Sequence, residues 1–228
     1  MINKTIFDFL TRLKNNNTKD WFDENRMLYT KLKSEFEQFI EFVIAEISIF
    51  DKDIAQTSAK ASIYRINRDI RFSADKSPYK TNFGAYICKG GKKSPFAGYY
   101  IHVEPGACFL AGGIYMPSGE ALKAIREEIH ERFDVFKEII LNPAFEKNFD
   151  KELWGEKLKK SPKGFPADFE GIEYLKYKNY TVLKNEPDHI YWQNEFIDEV
   201  RSVFKTMMPF NRFLNRAVEN IDNLNKLF

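Results

Sequence analysis

Five cations, Arg65, Arg68, Arg71, Lys76 and Lys80, fall within the stretch YRINRDIRFSADKSPYKTN at 64–82 and face only Asp69 and Asp75. Guanidinium offers a planar bidentate fork, and the surrounding Ser, Thr and backbone N–H groups add donors, so this composition suits a phosphate or a carboxylate. The competing account is an internal web in which the arginines pair with Asp69 and Asp75, since an unpaired buried charge is costly. If the segment is extended, Arg65 and Arg71 share one face, while Arg68 shares the other with Tyr64, Ile66, Ile70 and Phe72.

A second constellation lies in YYIHVEPG. His102 and Glu104 are two residues apart, so on a strand they point the same way, together with Tyr100. They are candidates for a general base with its orienting carboxylate, and with Asp69 and Asp75 they form the set for a phosphoryl-transfer or hydrolytic reading. As a metal site the pair is incomplete, and no zinc-deaminase P-C-x-x-C accompanies the H-x-E. A polar outer face on a half-exposed sheet competes with both readings. GGKKS at 90–94 fails the phosphate-loop pattern, because Lys93 stands where Ser or Thr is required, and it reads as a hairpin loop. No nucleophile elbow or dinucleotide fingerprint occurs. No metal site is expected, and no cofactor is indicated.

Charge is unevenly placed. The chain of 228 residues has a net charge of +2, yet residues 60–93 carry an excess of seven positive charges and 157–184 an excess of four. The remainder is therefore acidic, and the two basic segments define where an anionic partner would be drawn. In the second segment, Lys160 and Lys163 lie in KLKKSPKGFP, before Tyr174, Tyr177 and Tyr180 interleaved with lysines. That mixture suits a nucleic-acid backbone, but the weak overall basicity favours a solvated surface.

These residues must be positioned by elements of two periods. Thr5, with Asp8 at capping-box spacing, opens a short helix, and Thr18 caps a longer one with an apolar stripe from Trp21 to Ile47. Asn25, Arg26 and Tyr29 lie on a second, polar stripe of that helix and form a candidate wall. From 62 to 116 the period becomes alternating: NFGAYIC, GYYIHVE and ACFLAGGIYM, separated by KGGKKSPFA and PG, predict an antiparallel meander, with IYRINRDIRF as an extended segment before it. Helical spacing returns over 118–149. YTVLK adds a short strand, and 194–224 reads as an amphipathic helix interrupted at Pro209. The expectation is one α+β domain over residues 1–228, a central antiparallel meander flanked by N-terminal and C-terminal helices.

Cys88 and Cys108 have no metal or framework spacing, and no window supplies the roughly 18 apolar residues of a membrane span, so a cytoplasmic protein with reduced thiols is expected. The words FLTRLKNNNTKDWFDENRMLY, RINRDIRFSADKSPYKTNFGAYI, GYYIHVEPGACFLAGGIYMP, LKKSPKGFP and PFNRFLNRA resemble a widespread bacterial family catalogued as domain of unknown function 2461, and they span nearly the whole chain. The resemblance implies an α+β domain of about this length and carries over no catalytic residue. Its words coincide with Asn25 and Arg26, the 65–80 block, His102 with Glu104, and Lys160 to Lys163. The leading expectation is a positively charged pocket for a phosphate-bearing anion. Arg65, Arg68, Arg71, Lys76 and Lys80 supply charge in it, Lys160 and Lys163 close it, and Asn25, Arg26 and Tyr29 line it. The alternatives are the acid/base enzyme and a protein-interaction module with exposed aromatics. The ligand and the oligomeric state are not legible.

Overall fold

The computed structural model describes residues 1–149 and 152–225. Its centre is a four-stranded antiparallel sheet of β1 (Phe83–Cys88), β2 (Gly98–Val103), β3 (Phe109–Ile114) and β4 (Tyr180–Asn185), in the spatial order β1-β2-β3-β4. The alternation read from the sequence is realised residue by residue. Ala85, Ile87, Tyr99, Ile101, Leu110 and Val182 point into the core, while Tyr86, Tyr100, Ala111 and Leu183 form one row across the opposite face through the pairs Tyr86↔Tyr100, Tyr100↔Ala111 and Ala111↔Leu183.

Helices cover the core face: α1 (Lys4–Asn15), α2 (Lys19–Glu24), α3 (Arg26–Phe50), α4 (Ala59–Ser62), α5 (Gly119–Glu131), α6 (Phe133–Ile140), α7 (Pro143–Asn148), α8 (Ile172–Leu175) and α9 (Phe196–Asn225). The buried stripe of α3, with Leu32, Phe36, Ile40, Val43 and Ile47, follows the 3.6 period. Polar side chains of α9 also hold the sheet: Asn215 bonds the backbone of Ala97 in both directions, and Asn211 Nδ2 donates to Gly98 O. Close approach of helix and sheet requires Gly112, where a Cβ would lie 1.9 Å from Met207 Sδ.

Four local expectations are corrected. The cap of α1 is Asn3, whose Oδ1 accepts from Thr5 N–H, and Thr5 lies inside the helix. The long helix from residue 19 is two helices. The Asn25 side chain donates to Trp21 O at 2.8 Å, satisfying a terminal carbonyl of α2 and competing with continuation of the turn. Conversely, α9 runs unbroken through Pro209. Pro209 and Lys205 both lie on the exposed side of the helix, where water can replace the donor that proline lacks, and buried Phe204, Met207 and Phe210 hold both halves to the core. The segment 63–82 is not a regular strand. It bridges β1 once at Ile63↔Ala85 and then folds on itself, with Arg68 N donating to Pro78 O and Lys80 N to Ile66 O.

No helix among the described residues is long and apolar enough to cross a membrane.

Candidate functional site

The open face of the sheet is the floor of a cleft of about 730 Å³. Tyr86, Tyr100, His102, Phe109, Ala111 and Thr181 rise from the strands. Tyr64 and Lys80 wall it along the β1 edge, the β1–β2 loop brings Lys92, Lys93, Ser94 and Phe96, and Tyr115, Met116 and Trp154 stand beyond the end of β3. The turn that aims the lysines needs left-handed backbone at two successive positions, Gly90 (φ 78°) and Gly91 (φ 80°). Met116 adopts φ 52° without being glycine and is held there by Asn179 Oδ1, which accepts from its N–H at 2.8 Å.

The segment carrying Tyr64 and Lys80 is pinned from both ends. Tyr64 N donates to Gly84 O. Asn17 of the NNNT run bonds both backbone groups of Tyr79, at 2.9 and 3.1 Å, and Phe22 of α2 stacks on the Tyr79 ring at 3.9 Å. The polar break between α1 and α2 thus has a purpose: it docks the cation-rich loop against the helices.

A polar relay crosses the cleft floor. Tyr100 Oη lies 2.9 Å from His102 Nδ1, His102 Nε2 lies 3.1 Å from Glu104 Oε2, and Thr81 Oγ1 donates to Glu104 Oε1 at 2.7 Å. His102 stacks on Phe109 with ring centroids 4.4 Å apart. Burial holds the His102 imidazole below its ordinary pKa, against the opposing pull of Glu104. Burial, reinforced by Tyr64 and Glu104, pushes the Tyr100 phenol up, so its oxygen stays protonated at neutral pH.

On the rim, Lys80 Nζ stands over the Tyr64 ring at 5.2 Å from the centroid. Burial and then the charge of Arg65 lower its pKa. Lys92 Nζ donates to Ala61 O at 3.0 Å and is lowered by burial and by neighbouring Lys93. Both lysines therefore carry positive charge that the protein does not fully offset. Among the described residues, the lining contains three lysines and no carboxylate.

The other residues singled out by their chemistry lie elsewhere. Arg68 pairs with Asp75 and also donates to Ser73 Oγ and Ser77 O. Arg71 grips Asp69 through two bonds, at 2.9 and 2.7 Å, and Lys76 Nζ donates to Ile70 O. The Arg71–Asp69 pair is solvent-exposed, and the half-buried Arg68 meets an exposed Asp75, so the pairs order the 66–80 loop without forming a dry web. The Asp75 carboxyl is drawn down to about 2, chiefly by Ser77 side-chain and backbone donors and then by Arg68. Of the five cations in the block, Lys80 lines the cleft, and Arg65 is exposed, acting on Lys80 and Asp69 through its charge. Asp69 and Asp75 are outside the lining, whereas His102 is in it and Glu104 stands directly behind. Arg26 pairs with Asp23, Asn25 Oδ1 accepts from Arg12, and Tyr29 packs among Phe9, Phe22 and Phe83. Lys160 and Lys163 are exposed on the loop after Trp154 and are not among the lining residues.

Sequence reasoning passed over Lys92, Lys93, Thr81 and the aromatic walls. GGKKS was readable as a basic hairpin tip, but only the fold shows that it leans over the open face. Among the described residues no three His, Cys, Asp or Glu side chains gather as a metal site. Fold and cleft define an α+β protein whose antiparallel meander is backed by helices on one face and bears a lysine-rimmed, aromatic cleft on the other. The chain belongs to the family described as Conserved hypothetical protein (DUF2461), whose model matches residues 5–213. No curated protein and no solved structure matches it.

Proposed function

We infer that the protein binds a phosphate-bearing anion in the sheet-face cleft, with Lys80, Lys92 and Lys93 receiving the charge and the aromatic floor receiving the ligand's apolar part. The observation that carries this reading is the lining itself: three lysines, two of them with lowered pKa, and no carboxylate among the described residues. By contrast, the arginines of the 66–80 loop already hold carboxylates of their own. Arg65, Lys160 and Lys163 add long-range attraction, and the 66–80 pairs fix the loop that presents Lys80. Cys88 and Cys108, free and buried, fit a reducing cytoplasm.

The test is a thermal-shift titration with inorganic phosphate, pyrophosphate, a sugar phosphate, a nucleoside monophosphate and a short oligonucleotide. It is run on the parent, on a Lys80→Ala/Lys92→Ala/Lys93→Ala variant and on Arg68→Ala. A ligand at about 100 times its Kd stabilises by about 2.7 kcal/mol. The shift should appear in the parent and in Arg68→Ala and vanish in the triple variant. Equal shifts in parent and triple variant overturn the assignment of the cleft, and a shift with the oligonucleotide alone replaces a small metabolite by a nucleic acid.

A further inference from the structure

A lysine rim is enough to attract an anion, and it leaves the relay on the cleft floor unexplained. A carboxylate only accepts, so Glu104 Oε2 places the His102 ring proton on Nε2 and leaves Nδ1 bare to accept from the Tyr100 hydroxyl. A hydroxyl nucleophile needs this tautomer, with a base on one side and an orienting carboxylate on the other; the arrangement is that of a serine triad with a phenol in place of the alcohol. Glu104 is in turn fixed by Thr81. The His102 and Glu104 side chains keep only 13% and 25% of their surface exposed. The sheet also omits a side chain beneath the hydroxyl, since a Cβ on Gly84 would lie 2.5 Å from Tyr100 Oη. The Tyr64 ring packs edge-on against Tyr100 and carries Lys80 over it, and all three residues line the same cleft.

We propose that Tyr100 is a nucleophile toward a phosphate ester held in the cleft, with His102 as its general base and Glu104 as the residue that positions His102. The choice of substrate rests on the anion-binding reading above, whereas the reactivity of the hydroxyl does not. In the first step the Tyr100 Oη–phosphorus bond forms as the Oη proton moves to His102 Nδ1. The bond from phosphorus to the leaving alcohol oxygen breaks with its electron pair, and the imidazolium returns the proton to that oxygen. In the second step His102 Nδ1 takes a proton from water as the water oxygen attacks phosphorus. The phosphorus–Oη bond breaks with its pair, and Oη recovers the proton. Ester and water become alcohol and phosphate, with the protein unchanged. Because burial keeps the phenol protonated, the hydroxyl depends on His102 for its activation.

An aryl sulfonyl fluoride tests the hydroxyl without a known substrate. Its Oη–sulfur bond forms as fluoride leaves with the sulfur–fluorine pair and the proton departs through His102. Labelling is followed by peptide mass spectrometry over a pH series through the histidine range, with Tyr115, 60% exposed, as the internal standard. Tyr100 should react faster than Tyr115, with a rate that rises as pH increases through the His102 pKa. His102→Gln should slow Tyr100 by about 100-fold or more and remove the pH step, leaving Tyr115 unchanged. Glu104→Gln should slow it less and shift the step, and Glu104→Asp should recover part of the loss. Tyr100 labelling no faster than Tyr115, or unchanged in His102→Gln, overturns the proposal. Should that variant not fold, absence of the pH step in the parent does so alone. Protection of Tyr100 by pyrophosphate supports the phosphate substrate. Fast labelling without protection leaves the nucleophile standing and overturns the phosphate reading of the cleft.

Discussion

The Tyr100 hydroxyl lies over Gly84, its diagonal neighbour on β1, so closely that a Cβ at residue 84 would stand 2.5 Å from the oxygen. The backbone of Gly84 is not left-handed, so the requirement for glycine is steric. Gly84→Ala is therefore expected to push Tyr100 off its rotamer and away from His102, costing about 1–3 kcal/mol as overpacking does. Urea unfolding reads the stability, and the ring-nitrogen chemical shifts of His102 read the lost hydrogen bond. Unchanged shifts would show that the relay tolerates the methyl.

Behind the sheet, Gly112 gives Met207 of α9 its place. Gly112→Ala should destabilise by about 1–3 kcal/mol, and Met207→Ala by about 2–5 kcal/mol through the cavity it leaves. Because the added methyl and the lost thioether occupy the same space, the double variant should be more stable than the sum of the two changes predicts. An additive double-mutant cycle would refute this packing account.

Tyr99 Oη donates to Asp51 Oδ2 at 2.7 Å, and Asp51 is 5% exposed with Arg212 no nearer than 3.9 Å. Tyr99→Phe takes a donor from a buried carboxyl and should cost about 1–3 kcal/mol in urea unfolding, with an unchanged m-value. Adding Asp51→Asn should recover part of that cost.

Acid should weaken the cleft through His102. Its folded pKa lies below the ordinary 6.5, because burial outweighs Glu104. A depressed value means that the unfolded chain binds the proton first, so the stability is complete above 6.5 and is lost as pH falls through the folded value. Glu104, Tyr100, Tyr64 and Lys80 are the other titratable groups around the relay and the cleft wall, so the comparison with a variant lacking the imidazole assigns the change to His102. Stability measured against pH should fall across it in the parent and flatten in His102→Gln.

In the 66–80 loop the hold on Asp75 is itself testable. The Asp75 carboxyl is held at about 2 first by Ser77 and only then by Arg68. Ser77→Ala, which keeps the backbone N–H donor, and Arg68→Ala should each raise the Asp75 pKa in an NMR titration, and the double variant should raise it further. Since a depressed carboxyl stabilises above its ordinary 3.8 and loses that contribution as pH falls toward 2, the loop should loosen in that interval.

Much of this arrangement was legible in the chain. Strand alternation put Tyr100, His102 and Glu104 on one face because successive side chains must point to opposite sides of a pleated backbone, and the Gly90–Gly91 turn announced the hairpin between β1 and β2. The five cations of YRINRDIRFSADKSPYKTN were visible, but their partners were not. Arg68 meets Asp75 and Arg71 meets Asp69 because the segment folds back on itself, a choice made by backbone bonds such as Arg68 N to Pro78 O and by the docking of Tyr79 on Asn17 and Phe22. Spacing likewise could not tell that Asn25 ends a helix or that Pro209 does not, since both outcomes depend on what surrounds the freed backbone groups. Local residue chemistry determined the elements and which side chains share a face. Only the tertiary structure decided which face of the sheet stays uncovered, because that depends on where α3 and α9 bury their apolar stripes, and it was this choice that brought Lys80, Lys92 and Lys93, from two separate loops, around the Tyr100 hydroxyl's side of the sheet.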